Sequence, residues 1–452
     1  MKRLAYLMGT FPTLTETFIL GEIRALCARG VELHLFSLRR PKGVAQLAED
    51  GADLITMTHY GPSFLSRQVW RSNLRMLCVF PGRYLRILGS LLAHTAVNPI
   101  HCLKTLGIFP IAVTFAEVIR HKGIDHIHAH WATYPASAAY IVSRLLDISY
   151  SFTAHAYDAT LIRTMMREKV REAAFIVTCT RFNRGALTTL IPESEAKIVV
   201  NYHGIFLDRF VPNGKQVLQH QDTFHILSCG SLYPRKGFSD LVEACRILRD
   251  KGWKFRCEII GEGPLRRRLE QSIKAYELEE VVCLLGAMPQ KQVIDHYRKA
   301  DLFVLPCVTD HLGWDEVFTD PMLFLEVGLA IPFRPITDGI PNVLAEAMAM
   351  RIPVVSTTVA AIPELIQDGR TGTLVPERNP LALAAAMEHL LKDPHKRQAF
   401  AEGGRETVRQ YFDRIENTRA LLTTFTAQLG TDEMRVGQSD RGRTDAPFHG
   451  RH

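Results

Sequence analysis

The chain has 452 residues, 47% hydrophobic and 22% charged, with a formal net charge of +7. That length exceeds one core and suits two domains and a tail, and the balance is that of a soluble α/β protein. The nine cysteines contain no C-x-x-C pair and mostly sit in apolar runs, a pattern that argues for reduced, buried thiols in the cytosol rather than a disulfide or zinc framework. The charge is local: 54–116 holds no Asp or Glu but includes Arg67, Arg71, Arg75, Arg83, Arg86 and Lys104, so a local basic surface is expected rather than a uniformly basic protein, and no nucleic acid is expected among its partners.

Leu4 to Met8 is a short apolar run that turns at Gly9, and Thr13, Thr15 and Glu16 interrupt it too early for a signal peptide. Phe18, Ile19, Ile23, Leu26 and Cys27 follow at helical spacing. Gly30 closes that helix and Val31 to Leu38 returns as a strand, so the chain opens with a β-α-β unit and a parallel sheet. The loop from Gly9 to Thr17 lies at a strand's carboxyl end. A solvated loop capped by Thr17 and a ligand-facing loop are both open to it.

Within 63–92, Arg67, Arg71 and Arg75 interleave with Val69, Trp70, Leu74, Leu77 and Phe80. This suits either a helix lying on an anionic membrane or an amphipathic helix packed on its own domain. The longest apolar run, 106–116, contains Pro110 and is too short to span a bilayer. His126, His128 and His130 share one face of a strand, and Trp131 and Pro135 beyond them favour a packed strand-to-helix turn over a metal site. Ser149 to Ala154 is a strand that ends at His155. Phe175 to Cys179 and Lys197 to Asn201 are two more, and 212–222, polar and without periodicity, reads as the linker.

Phe224 to Cys229 then forms a strand, followed by the loop from Gly230 to Gly237 and a helix marked by Phe238, Leu241, Val242, Cys245 and Leu248. A helix N-terminus with Arg235 and Lys236 beside it suits an anion. Arg256 to Ile260 ends at G-E-G-P-L (261–265), where Arg266 replaces the third glycine of a dinucleotide fingerprint and counts against an NAD-dependent dehydrogenase. Val281 to Gly286, a helix to Lys299 and Leu302 to Pro306 continue the alternation. Between Asp310 and Asp338, Trp314, Phe318, Met322, Phe324 and Phe333 make either a lid or acceptor loop or an insertion folded over itself.

In D-G-I-P-N-V-L-A-E-A-M-A, Asp338 and Glu346 have seven residues between them. Gly339, Ile340 and Pro341 make a turn into a helix that Pro353 ends, so Asp338 lies at the helix entrance and Glu346 on the face beside the core-facing Val343, Leu344, Ala347 and Met350. One reading is a pair of acids at a strand-end nucleotide crevice; the other is an acid favoured by the helix dipole plus a surface Glu. A strand at 354–357, a short helix, a turn and a strand to Val375 close the sheet. Helices are expected from Pro380 to Leu391 and from His395 to about Leu429, and 430–452 is polar, patternless and expected to be disordered.

The Asp338–Glu346 stretch is similar to the E-x7-E element of GT-B retaining glycosyltransferases of family 4 (glycosyl transferases group 1), in its exopolysaccharide and colanic-acid version. F-P-T-L-T-E-T-F near the start, S-F-T-A-H-A-Y-D around His155, H-G-I-F-L-D-R-F at 203–210 and I-P-E-L-I-Q-D-G-R-T-G near 370 extend the resemblance along most of the chain. It implies an α/β protein of GT-B fold, two Rossmann-like doubly wound domains facing each other across a cleft. The expected division is an acceptor domain at 1–210, a linker at 211–222, a donor-nucleotide domain at 223–410, a helix at 411–429 packing back on the first domain, and the tail.

The implied activity is that of a retaining hexosyltransferase that takes a UDP- or GDP-sugar, needs no further cofactor, and acts on a saccharide or lipid-linked acceptor in cell-surface polysaccharide assembly. His155, Asp338 and Lys236 are the catalytic residues that the resemblance implies, with Asp338 on the sugar hydroxyls and His155 near the reaction centre. It puts Glu346 on the ribose and Arg235, Gly230, Ser231, Gly261, Gly263, Pro264, Asn342 and Val343 around the nucleotide. Gly9, Thr15 and Glu16 belong to the loop beside the acceptor and phosphates. Relatives usually read G-R-L-x-x-x-K-G; here Lys236 carries over and Ser231 stands where they have arginine, so either Arg235 takes its place or donor binding is weakened. No D-x-D occurs, which agrees with charge neutralisation by protein groups and no metal. The expected location is cytoplasmic, peripheral on the inner face of the plasma membrane. The rival reading is a non-catalytic nucleotide-sugar-binding partner subunit, which Ser231 favours.

Overall fold

Short apolar runs alternating with amphipathic helices fold here as two parallel sheets, each covered on both faces. The structure is a computed structural model, and it describes residues 3–13, 16–41, 52–96, 99–155, 158, 164–212, 223–311 and 335–429. Thr15, most of the expected linker, the apolar part of the 310–338 segment and the expected tail lie outside the described residues.

The first sheet comprises β1 (Leu4–Thr10), β2 (Leu33–Arg39), β3 (Thr58–Tyr60), β4 (His126–His130), β5 (Ser149–Ala154), β6 (Ile176–Thr178) and β7 (Ile198–Val200), in the order β3-β2-β1-β4-β5-β6-β7. The second comprises β8 (Phe224–Cys229), β9 (Phe255–Ile260), β10 (Val282–Gly286) and β11 (Leu302–Leu305). After a two-stranded ribbon of β12 (Asp310–His311) and β13 (Pro335–Ile336), it adds β14 (Val354–Thr357) and β15 (Thr373–Val375), in the order β10-β9-β8-β11-β14-β15. The strand order reverses beside β1 and beside β8, and at such points the loops leaving neighbouring strands diverge and open a crevice. Both sheets fit the GT-B plan of two doubly wound domains.

Three helical expectations need correction. The stretch 63–92 is two helices, Arg67–Val79 and Pro81–Thr95, bent by 113°. Phe80 leaves the helical region (φ −131°, ψ 55°) and Pro81 starts the next helix, where its missing N–H costs nothing. Pro110 does not limit its apolar run, because it sits inside a helix over Pro99–Lys122. Of that helix, His101–Lys122 is long and apolar enough to cross a membrane, yet Phe109, Ala112, Val113, Phe115, Ala116 and Ile119 are buried in the first domain's core. The last helix is two, Pro394–Tyr411 and Arg414–Leu429. At the break, Asp413 bridges to Ile205, and its carboxylate accepts the Ile415 N–H at 2.8 Å.

The chain passes between the sheets twice, and the crossings touch. Ile205 N donates to Phe412 O at 2.8 Å, and Arg414 N to Ile205 O at 2.9 Å. Gly204 makes the approach possible: its φ is +64°, and a Cβ there would stand 2.6 Å from Phe412 O. Beyond the crossing, Leu421 and Phe425 of the Arg414–Leu429 helix are buried with Leu4, Tyr6, Ile19, Ile23 and Phe175 of the first domain.

Candidate functional site

The crevice of the second sheet is built by two glycine loops bound to each other. Leaving β8, Gly230 N donates to Ile260 O and Leu232 N to Glu262 O, both at 2.9 Å, and Leu265 N returns to Leu232 O at 3.0 Å. Gly261 is required there, because a Cβ would lie 1.9 Å from Gly230 O. Gly263 and Pro264 complete the second loop, and Ser231 is exposed on the first. A single 3-10 turn, Pro234–Lys236, then presents Arg235 and Lys236 just before the Phe238–Asp250 helix.

These cations meet Asp338. Lys236 Nζ lies 2.5 Å from Asp338 Oδ2, and Arg235 Nε lies 3.2 Å from Oδ1. Burial works against charge on Asp338, but Lys236 and Arg235 outweigh it and hold the carboxyl below its ordinary value. Burial likewise opposes charge on Lys236, and Asp338 reverses the balance and raises it. The Arg235 guanidinium also lies 4.8 Å from the Tyr233 ring centre. Asp338 is therefore the third member of a charged cluster rather than a helix-end acid.

Glu346 is in the opposite state. It projects from the Asn342–Ala349 helix toward Tyr297, whose Oη donates to its Oε2 at 3.0 Å and to Val343 O at 3.2 Å. Among the described residues no cation offsets its burial, and its pKa is pushed up to about 7, with the bonds from Tyr297 and Gln290 opposing the shift. The helix stops earlier than Pro353, at Met350 and the left-handed Arg351 (φ +58°).

On the first sheet, β5 delivers His155 into a buried aromatic nest. Its Nδ1 lies 3.1 Å from His203 Nε2, and its ring centre lies 4.3 Å from Trp131 and 5.0 Å from Phe18. Asp158 fixes the backbone there, accepting His155 N at 2.7 Å and Ala132 N at 2.6 Å. Burial, with His203 beside it, lowers the His155 pKa and keeps the ring neutral. Its Nε2 is buried without a hydrogen-bond partner among the described residues. Lys169, its own pKa lowered to about 7 by burial, donates to Ala132 O at 2.6 Å. Glu16 precedes the first helix and accepts from Trp131 Nε1 at 2.8 Å, and Gly9 lies inside β1. Sequence reasoning did not single out His203, Asp158 or Trp131 for this nest; His203 was visible only as the first residue of H-G-I-F.

The β4 histidines form a ladder with β5. His126 meets Ser149 and Ser151 at 2.8 and 2.7 Å, and His128 meets Ser151 and Thr153 at 2.8 and 2.9 Å, so both nitrogens of each ring are engaged. His130 tops the ladder 3.3 Å from Glu22, which also accepts from Tyr6 Oη at 2.7 Å.

The basic patch keeps apolar side chains in solvent: Trp70 is 62% exposed, Leu74 64%, Leu85 60% and Leu103 74%. Arg75 is not free, because it pairs with Glu117 at 3.0 Å.

Residues 15–209 match the model of Glycosyltransferase Family 4, and 212–316 and 328–393 match models of Glycosyl transferases group 1. The chain is 36% identical over 234 residues to WcaL of Escherichia coli, named as a colanic acid biosynthesis glycosyltransferase, covering 51% of each chain. It is 37% identical over 194 residues to the amylovoran biosynthesis glycosyltransferase AmsK of Erwinia amylovora, covering 43% of this chain and 42% of that one. The matched chain thus spans about half the length of these curated relatives. In fold it is similar to Anabaena HepE, solved in complex with UDP, with a TM-score of 0.65 and 14% identity over 94% of this chain and 100% of that one.

Proposed function

The chain belongs to the group 1 glycosyltransferase family, and from that premise we propose that it moves a sugar from a UDP- or GDP-sugar to an acceptor hydroxyl with retention at the anomeric carbon. The observation that carries this reading is the meeting of Lys236, Arg235 and Asp338 beside the two interlocked glycine loops. A departing nucleoside diphosphate needs positive charge, which Lys236, Arg235 and the nearby helix N-terminus supply. In this reading Asp338 exchanges its cations for the sugar hydroxyls, and Glu346 takes the ribose. His155 meets the sugar through Nε2, and the Gly9–Glu16 loop meets the acceptor and phosphates. Gly230, Ser231, Gly261, Gly263, Pro264, Asn342 and Val343 surround the nucleotide. No cofactor beyond the sugar nucleotide is invoked.

The names of WcaL and AmsK, colanic acid and amylovoran biosynthesis glycosyltransferases, support a role in exopolysaccharide assembly, for which a growing or lipid-linked saccharide is the acceptor we propose. The exposed Trp70, Leu74, Leu85 and Leu103 among Arg67, Arg71 and Arg86 support peripheral contact with anionic membrane, which we place on the cytoplasmic face as part of the same reading. Radiolabelled transfer to a lipid-linked saccharide fraction, run beside calorimetry with UDP- and GDP-sugars, tests the proposal. Ser231 supports a second reading, a non-catalytic nucleotide-sugar-binding subunit. Tight sugar-nucleotide binding with no transfer to any acceptor would select it.

A further inference from the structure

We propose that Glu364 is a reversible clasp that closes the cleft by capping a helix of the opposite domain. Glu364 belongs to the second domain, in the short Ile362–Leu365 helix after β14. Its Oε2 accepts from Arg181 N and from Tyr202 Oη, both at 2.8 Å, and its Oε1 accepts from Phe182 N at 2.7 Å. All three partners belong to the first domain. Arg181 and Phe182 open the Arg181–Leu190 helix, and the next amide, Asn183 N, is satisfied by Thr180 Oγ1 at 3.0 Å. The first amides of a helix have no partner within it, and the positive end of its dipole favours a carboxylate. Here two of them are completed by a side chain from across the cleft.

The position ties the clasp to both the crossing and the histidine nest. Tyr202 packs its ring at a tilt of 42° against Phe412 at the crossing, with centres 4.7 Å apart, while its hydroxyl holds Glu364. It precedes His203, and Arg181 stands two residues after Cys179, whose sulfur lies within 4.8 Å of the His155 and His203 nitrogens. Closing the clasp therefore brings the second domain against the segments that carry the nest. The contact is polar, and Phe182 beside it remains 43% exposed. A permanent domain interface buries such a ring; the two bonds to the Arg181 and Phe182 amides are exposed and the one from Tyr202 is half-buried, so all three can be exchanged for water at modest cost, which suits a joint that opens. The role in catalysis rests on the transferase reading: opening admits the sugar nucleotide, and closing sets the Lys236 cluster opposite His155.

The test uses the full chain without ligand. Amide hydrogen exchange at 181–183 and small-angle scattering are compared for the parent, Glu364→Ala, Glu364→Gln and Tyr202→Phe. At least tenfold faster exchange at 181 and 182, with a larger radius of gyration and unchanged exchange in the strands, is expected for Glu364→Ala. Glu364→Gln keeps an acceptor oxygen and should fall between it and the parent, as should Tyr202→Phe, which loses one of three bonds. If Glu364→Ala does not fold, Glu364→Gln carries the comparison. Parental exchange at 181 and 182 together with a parental radius overturns the clasp. Neither readout needs sugar transfer, so a chain that transfers nothing would overturn the proposed function and leave the clasp standing.

Discussion

Lys236 Nζ stands 2.5 Å from Asp338 Oδ2, so the cation expected to meet a diphosphate is already neutralised by the acid expected to meet the sugar. Binding then exchanges partners rather than filling an unsatisfied charge. Asp338→Asn should keep or strengthen affinity for UDP or GDP, because it frees the lysine, while turnover falls. Loss of a charged hydrogen-bond partner is worth roughly 1.5 to 3 kcal/mol, or about ten- to a hundredfold in rate. A parallel fall in affinity and turnover would mean that Asp338 only props the lysine.

The same pair has a pH signature. Because the folded carboxyl lies below its ordinary value, its contribution to stability is present above the unfolded value of about 3.9 and is lost as pH falls through the lower, folded value. Asp338→Asn should therefore lower the melting temperature at pH 7, and the difference from the parent should shrink as the solution is acidified below that range.

Glu346 predicts the opposite slope. Its folded pKa of about 7 lies above the ordinary glutamate value, so its contribution to stability is full below about 4.3 and is lost as pH rises through 7. Glu346→Gln carries no charge to bury, and at pH 8 its melting temperature should equal or exceed the parent's. A ribose hydroxyl is better accepted by the ionised form, so the parent's affinity for UDP or GDP should rise from pH 6 to 8 more steeply than the variant's. Identical slopes would remove Glu346 from the nucleotide.

Arg235 should matter more than its neighbour Ser231. Arg235→Ala is expected to weaken UDP or GDP binding by about tenfold, the scale of one charge-assisted bond. Ser231→Arg should bind at least as well as the parent. Unchanged affinity in Arg235→Ala would show that it does not replace the missing arginine.

For the basic patch, Arg67→Glu with Arg71→Glu should reduce co-sedimentation with phosphatidylglycerol vesicles by tenfold or more, since each basic residue near such a surface contributes about 1 kcal/mol. Arg75 is left intact because Glu117 already pairs with it. Trp70→Ser with Leu74→Ser should weaken sedimentation at high salt, where charge is screened and apolar insertion remains. Parental sedimentation of both double variants would make the patch an ordinary surface.

The alternating order of strands and the glycine loops were legible because apolar runs, glycines and helical spacing are local signals. The Lys236–Asp338 pair was not, since its members are about a hundred residues apart and meet only when the turn after β8 folds against the segment between β13 and the Asn342–Ala349 helix. The histidine ladder needed the register of β4 on β5, which pairs His126 with Ser149 and His128 with Ser151. The break at Phe412 carries no proline or glycine; it arises from the bridge to Ile205. Pro110 misled in the other direction, because neighbouring helices hold its helix together: Asn73 donates to Pro110 O at 3.0 Å.

The adjoining crossings at Ile205 and Asp413 give the chain an inserted architecture. Topologically, the second domain is a cassette spliced into the first between these two positions, and its entry and exit lie one bridge apart. Removing the cassette and joining its ends with a few residues should leave the first domain's core complete, because Leu421 and Phe425 return to it. Exchange of the whole cassette between related chains should likewise preserve the first domain, and under the proposed transferase reading it would carry the choice of sugar nucleotide with it.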